Sequence, residues 1–397
     1  MNDAPPPFEI FRIFLRLGLT SFGGPIAHLG YFRREFVTRR AWLGEEGFAD
    51  LVALCQFLPG PASSQVGFAL GLARGGWLGA LAAWAGFTLP SALALFALAA
   101  LSASWQGPAA SAAIHGLKLA AIAVVAQAVW GMIRTLTPDL RRAAIALAAT
   151  IMMFLVAGSM AQIAAILFGA AMGLILCRHL PAAPRGHLAF ALPRRAGIPC
   201  LAAFAALLLG LPLLARATGS HALAVFDAFY RSGALVFGGG HVVLPLLRDA
   251  VVTPGWLPPD TFLSGYGAAQ AVPGPLFTVS AYLGAAMTGP PNGMAGAAMA
   301  LVAIFLPGML ILCGALPFWD RMRGEFRALA AMRGINAAVV GILAAALYDP
   351  LWTGTIGGWP DVAFAAAGFL LLTLFRTPPL FVVLALAAIP FATFAGF

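Results

Sequence analysis

The amino-acid sequence predicts an all-α, polytopic membrane protein built as two homologous repeats of inverted topology, each with broken or re-entrant helices at Gly-Gly and Pro-Gly-Pro motifs. Three observations carry this reading. The chain has 397 residues, of which 61% are hydrophobic and only 9% charged, against about 25% charged in ordinary soluble domains. Several apolar stretches reach the roughly 20 residues that span a bilayer. A proline-bracketed break, Gln56–Phe57–Leu58–Pro59–Gly60–Pro61, returns downstream as Gln270–Ala271–Val272–Pro273–Gly274–Pro275. Both prolines of such a break lack an N–H and clash with the preceding turn. The residue before each is pushed out of the α region. A helix therefore ends near Gln56 or Gln270, and a new one is predicted to start at Pro61 or Pro275, where proline suits the first turn. Irregular backbone at membrane depth survives only where protein buries it or it lines a wet cavity. Two such breaks in matching places point to a transport site.

Taken in order, the first segment is Phe8–Phe32, interrupted by Ser21–Phe22–Gly23–Gly24–Pro25. A loop with Arg33, Arg34, Arg39 and Arg40 follows. The first Pro-Gly-Pro segment covers Gly47–Ala73. Apolar spans come next at Trp77–Leu101, Ala109–Ile133, Ala143–Ala157 and Met160–Cys177. Residues 1–177 thus form the first repeat, 178–197 a basic cytoplasmic linker, and 198–397 the second repeat. The second repeat opens with a span at Ile198–Ala215 and a broken segment, His221–Leu247. The second Pro-Gly-Pro segment covers Thr261–Met287, and later spans lie at Asn292–Leu316, Ala328–Leu347, Val362–Phe375 and Leu380–Phe394. The N-terminus shows no basic leader followed by a small-residue cleavage site, so no removable signal peptide is expected.

The repeats align on five ordered matches. Phe22–Gly23–Gly24 pairs with Phe237–Gly238–Gly239, Trp42 with Trp256, and Gln56 with Gln270. Leu89–Pro90 pairs with Leu306–Pro307, and Gly116–Leu117–Lys118 with Gly334–Ile335–Asn336. The spacing between partners drifts only by single residues, as a duplication with small insertions gives. Loop charges make the halves inverted. The four-arginine loop has a twin holding Arg248 offset by Asp249. The uncharged loop Ser102–Ser111 has a twin with Arg321, Arg323 and Arg327, and the basic loop Arg134–Arg142 has the arginine-free twin Asp349–Asp361. Positive loops mark the cytoplasmic side, so equivalent loops lie on opposite sides. One path satisfies all of them: nine full crossings, four re-entrant hairpins and a cytoplasmic N-terminus.

The paired motifs Ser21–Phe22–Gly23–Gly24–Pro25–Ile26–Ala27–His28–Leu29, Gln56–Pro61, Phe237–Gly238–Gly239–Gly240–His241–Val242–Val243–Leu244–Pro245 and Gln270–Pro275 resemble the chromate ion transporter family, in its long two-domain form. The resemblance covers nearly the whole chain. It implies a multi-pass protein of the plasma (inner) membrane that exports chromate and confers resistance to it, with two homologous halves of opposite orientation.

Chromate is a tetrahedral dianion, so its site must offer hydrogen-bond donors and positive potential. Helix N-termini supply free N–H groups and about half a positive charge. The helix starts at Pro61 and Pro275 would aim at one central point, with Gly60 and Gly274 in the breaks. Ser63, Ser64 and Gln65 lie in the first turn of one helix, Thr278 and Ser280 in or just after that of the other, and Gln56 and Gln270 just before the breaks. A packed, kinked helix whose hydroxyls bond back to the backbone is the competing account. Gly23, Gly24, Gly238 and Gly239 suit either a second anion nest or close helix packing. His28 and His241 are proton-carrier or structural candidates. Lys118, with Asn336 as its twin, is an ionisable group inside a span and so a candidate counter-charge for the anion. Asp227 and Arg231 are spaced for an i,i+4 ion pair. Glu35, Glu45, Glu46 and Asp50 lie in or beside the cytoplasmic loop and are expected to be solvated or paired with its arginines, and Asp50, which opens the first Pro-Gly-Pro segment, is also a proton-carrier candidate.

With the inside negative, a dianion moving outward gains about 2.3 kcal/mol per charge per 100 mV, about 4.6 kcal/mol in all. Uniport, proton antiport and anion exchange all stay open, as does an anion channel. Any tetrahedral dianion, sulfate or molybdate included, satisfies the same donors. An enzyme is not expected: there is no HExxH, GxSxG or GxxxxGK[ST] motif, and so no hydrolytic or ATP-driven chemistry. No cofactor and no metal is predicted, the four scattered cysteines lacking CxxC spacing. Partners are the oxyanion and membrane lipid rather than nucleic acid. A homodimer is compatible with this reading.

Overall fold

The computed structural model describes residues 5–102, 107–156, 159–178, 192–322 and 325–394. Among these the regular structure is entirely helical. In the first half, α1 (Pro7–Thr20) and α2 (Gly24–Phe32) flank the Gly-Gly break, and a π turn, Arg33–Arg39, carries the chain to α3 (Glu45–Phe57). The Pro-Gly-Pro break separates α3 from α4 (Ala62–Ser102). Within α4, Gly76 takes φ 60°, ψ −154°. The helix therefore divides into a short arm, 62–74, and a long one from Trp77. Then come α5 (Pro108–Leu136), α6 (Leu140–Leu155) and α7 (Ser159–Leu176). Asp139 caps α6 by accepting the Arg142 N–H at 3.0 Å.

Helix α8 (Arg194–Thr218) stands between the halves. It begins at Arg194, so residues 194–197, expected in the linker, are its first turn; residues 179–191 of that linker lie outside the described residues. In the second half, α9 (His221–Ala234) is capped by Ser220 and ends before the second Gly-Gly break. A 3-10 turn, Gly240–Val242, leads to α10 (Val243–Val251), and α11 (Pro259–Ala271) runs to the second Pro-Gly-Pro break. There the sequence expectation fails in one respect. Pro275 does not start an α-helix; a 3-10 turn, Leu276–Thr278, comes first, and α12 is only Val279–Ala285. The Thr278 hydroxyl donates to the Pro275 carbonyl at 2.7 Å, which holds the tighter turn. Then follow α13 (Gly293–Ala315), α14 (Trp319–Met322), α15 (Phe326–Ala346) with a π turn, Leu347–Trp352, α16 (Trp359–Thr373) and α17 (Pro379–Phe394).

Among the described residues, five helices are long and apolar enough to cross a membrane: Ala62–Ser102, Ser111–Leu136, Arg194–Thr218, Gly293–Phe318 and Phe326–Trp352. Shorter apolar helices lie at Met160–Leu176, Trp359–Thr373 and Pro379–Ala388. The halves interlock. Helix α1 packs along α4 as α9 packs along α13, and α5 lies against α16 and α17 while α15 lies against α6 and α7. The glycines of the repeated Gly-Leu-Lys and Gly-Ile-Asn motifs allow this exchange. A Cβ at Gly116 would stand 2.1 Å from the Leu386 carbonyl, and one at Gly334 only 2.0 Å from that of Gly169. A stacked and edge-on aromatic cluster, Phe14, Phe32, Phe36 and Phe87, fills the interior where α1, α2 and α4 meet.

Candidate functional site

Each break needs a backbone conformation that favours glycine. Gly23 and Gly24 have φ of 99° and 76°, Gly238 and Gly239 have 73° and 146°, Gly60 has 122° and Gly274 has 105°. L side chains rarely adopt these values. The freed backbone groups then bond across the halves. The Gly60 N–H donates to the Val236 carbonyl at 2.7 Å, and the Gly274 N–H to the Ser21 carbonyl at 3.0 Å. Ser21 and Val236 hold the same place, one residue before Phe-Gly-Gly in each repeat. The two bonds are thus related by the pseudo-symmetry of the molecule. The Gly-Gly breaks also meet each other. Pro25 packs on Gly240, and the His241 Nε2 faces Gly24. Leu276, just past the second Pro-Gly-Pro, borders Gly240 as well. The four breaks therefore gather in one region between the halves.

Each Pro-Gly-Pro also docks on the proline-containing helix of the other half. A Cβ on Gly60 would lie 3.0 Å from the Gly308 Cα, and one on Gly274 would lie 2.8 Å from the Ser91 Oγ. Ser91 and Gly308 each follow a Leu-Pro pair, in α4 and α13.

The candidate side chains divide into two groups. Some are occupied by the protein itself. His28 is buried, with Nδ1 3.3 Å from the Ser63 Oγ and Nε2 3.2 Å from the Ser21 carbonyl. The Gln65 amide nitrogen donates to the carbonyls of Pro59 (3.0 Å) and Gly308 (2.9 Å). Its remaining oxygen is an acceptor, so Gln65 clamps the break and offers an anion no donor. His241 Nδ1 lies 3.0 Å from the Tyr266 hydroxyl. Gln270 bonds back to the Tyr266 carbonyl at 3.5 Å, and Gln56 is exposed at the end of α3. Lys118, the candidate counter-charge for the anion, is ion-paired with Asp260 in the first turn of α11. Asp227 and Arg231 form the expected i,i+4 pair. Glu45 pairs with Arg33, and Glu35 with Arg39 and Arg40, also as expected. Asp50 accepts from the Trp319 indole at 3.1 Å.

The second group is buried and unpartnered among the described residues: the hydroxyls of Ser21, Ser64, Thr88 and Ser280 and the Asn336 carbonyl oxygen. Asn336 Oδ1 lies beside Gly238, 3.4 Å from where its Cβ would be. Buried polar atoms are nearly always hydrogen-bonded, which makes these open groups candidate partners for a ligand or water. Sequence reasoning had singled out Ser64, Ser280 and Asn336. It missed Ser21 and Thr88 as donors, Tyr266 as the partner of His241, and Asp260 altogether. The repeated Leu-Pro motif signals Thr88 and Ser91 by proximity, whereas nothing local ties Asp260 to Lys118.

The fold and this centre define an all-helical, two-repeat membrane protein whose broken helices meet at a buried polar junction between the halves. The chromate transporter family matches residues 8–174 and 223–391, one stretch in each half, with α8 between them. The chain belongs to that family. It is 30% identical over 360 residues to a chromate transport protein of Pseudomonas aeruginosa, covering 87% of this chain and 82% of that protein. It is 28% identical over 344 residues to a probable chromate transport protein of Synechococcus elongatus, covering 85% and 83%. A shorter relative, the uncharacterized transporter YwrA of Bacillus subtilis, is 36% identical over 89 residues, 22% of this chain and 50% of its own length. No solved structure matches.

Proposed function

We propose that this protein is a secondary transporter that exports chromate across the plasma membrane by alternating access between its inverted halves, and so confers chromate resistance. The observation that carries the reading is the gathering of all four breaks at one junction, pinned by the crossed bonds of Gly60 and Gly274. Broken segments meeting between repeats are where transporters place their substrates. The open hydroxyls of Ser21, Ser64, Thr88 and Ser280 replace part of the anion's hydration shell, and the N-terminal turn of α4 at Ala62 adds positive potential. The topology that accompanies this reading has nine crossings and four re-entrant hairpins with the N-terminus inside, on the strength of the loop charges. Export then runs down the membrane potential.

A second reading, transport of sulfate or another tetrahedral oxyanion, rests on one specific observation: the open donors are hydroxyls, which suit any such dianion. The test is uptake of labelled chromate into inside-out vesicles, with and without excess sulfate. Saturable, protein-dependent uptake that survives sulfate supports a chromate exporter. Uptake abolished by sulfate moves the substrate to the second reading, and no protein-dependent uptake of either anion overturns both.

A further inference from the structure

The Lys118–Asp260 pair joins α5 of the first half to α11 of the second, and its two ends differ in access. The Lys118 side chain is only 10% exposed, while that of Asp260 is 74% exposed. Asp260 lines two cavities. One, of about 430 Å³, lies between α4, α5, α11 and α12 and includes Ser102, Ile114, Ser264 and Tyr282. The other, of about 180 Å³, includes Arg248 and Asp349. Ile114 is one helical turn before Lys118 on the same face of α5, so the larger cavity borders the turn that precedes the lysine. Behind the pair the helices touch: a Cβ on Gly267 would lie 2.2 Å from the Leu117 carbonyl. A buried cation is thus neutralised by a carboxylate that water reaches from outside.

The pair has no counterpart at the equivalent positions of the other repeat. The repeat places Asn336 opposite Lys118 and Glu46 opposite Asp260. Glu46 is exposed, and Asn336 carries no charge to meet it. Among the described residues, the Lys118–Asp260 pair is therefore not repeated at the equivalent positions of the first Pro-Gly-Pro segment and α15.

We propose that Asp260 is a surrogate counter-ion: it occupies Lys118 while the adjoining cavity holds no anion and is displaced by the transported oxyanion as the anion passes. The inference rests on the oxyanion reading above. An exposed carboxylate gives up little when it returns to water, whereas a dianion brings twice its charge to the buried ammonium. Once the anion moves on, Asp260 returns, so the carboxylate speeds release and keeps Lys118 from trapping the substrate. Asp260 is accordingly a positioning and specificity residue that acts through Lys118.

The experiment measures sulfate and chromate binding to the purified full-length protein, and transport in vesicles, for wild type, Asp260→Asn, Asp260→Glu, Lys118→Gln and the double variant. Asp260→Asn is expected to tighten oxyanion binding about threefold while lowering the maximal transport rate. Lys118→Gln is expected to weaken binding about tenfold, Asp260→Glu to behave as wild type, and the double variant to match Lys118→Gln. Asp260→Asn that weakens binding as Lys118→Gln does, with thermal unfolding unchanged, makes Asp260 a support for oxyanion binding and not its competitor, and overturns the inference alone. A wild type that neither binds nor moves any oxyanion overturns the functional reading and this inference together.

Discussion

Ser64 is the residue at which the functional reading is most exposed to test. Its hydroxyl is buried beside the first Pro-Gly-Pro break and has no hydrogen-bond partner among the described residues. Ser64→Ala removes no internal hydrogen bond, so unfolding should be unchanged or slightly harder. Loss of a donor to the anion should instead lower transport about tenfold, read as vesicle uptake beside a melting curve. Outside the membrane segments, Glu35 shows a different effect. Partial burial pushes its carboxyl up, but the hydrogen bonds and charges of Arg40 and Arg39 outweigh this and leave it below its ordinary value. A carboxyl depressed by folding adds stability above its unfolded value, and that stability is lost as pH falls through the folded one. Glu35→Gln should therefore lower the melting temperature at neutral pH and flatten its decline on acidification. The arginine pairing of Glu35 was legible because both partners lie within five residues. The pairing of Lys118 was not, since Asp260 lies 142 residues away.

At the scale of elements, punctuation by proline and glycine was legible and tertiary substitution was not. Pro-Gly-Pro stops a helix in any context, so both breaks were placed from sequence. The form of the restart was not. Ala62 enters an α-helix directly, whereas Leu276–Thr278 tightens into a 3-10 turn held by the Thr278 hydroxyl. Helix contacts were equally hidden, because a glycine inside an apolar run looks the same whether it faces lipid or another backbone. Gly334 and Gly131 separate the two cases. Gly334 sits under the Gly169 carbonyl, while no atom lies within 4 Å of a Cβ at Gly131. Gly334→Ala should cost about 3 kcal/mol or more through forced separation of α7 and α15. Gly131→Ala should leave melting unchanged or raise it, since alanine favours helix by about 1 kcal/mol. Parallel thermal unfolding of the two variants in detergent checks the contrast.

At the scale of the whole molecule, the duplication was readable because its markers are residues with special backbone chemistry. The exchange of helices between the halves was not, because nothing in one repeat reveals which copy of its twin it will touch. Helix α5 takes α16 and α17 as neighbours, and α15 takes α6 and α7. Neither half is a closed body. Separately encoded halves should therefore yield transport only when co-expressed, with each half alone degraded or insoluble. Vesicle uptake and the yield of each fragment after membrane extraction measure this. The match of YwrA to 22% of this chain but 50% of its own length shows that half-length chains exist among the relatives.

The crossed bonds at the centre also set an order in time. Ser21 and Gly60 leave the ribosome early, and their partners Gly274 and Val236 follow 253 and 176 residues later, in the second repeat. At the usual pace of translation that delay is on the order of ten seconds or more. For that interval the newborn first repeat sits in the bilayer with its inner face open, dependent on whatever escorts nascent membrane chains until its twin arrives to close it.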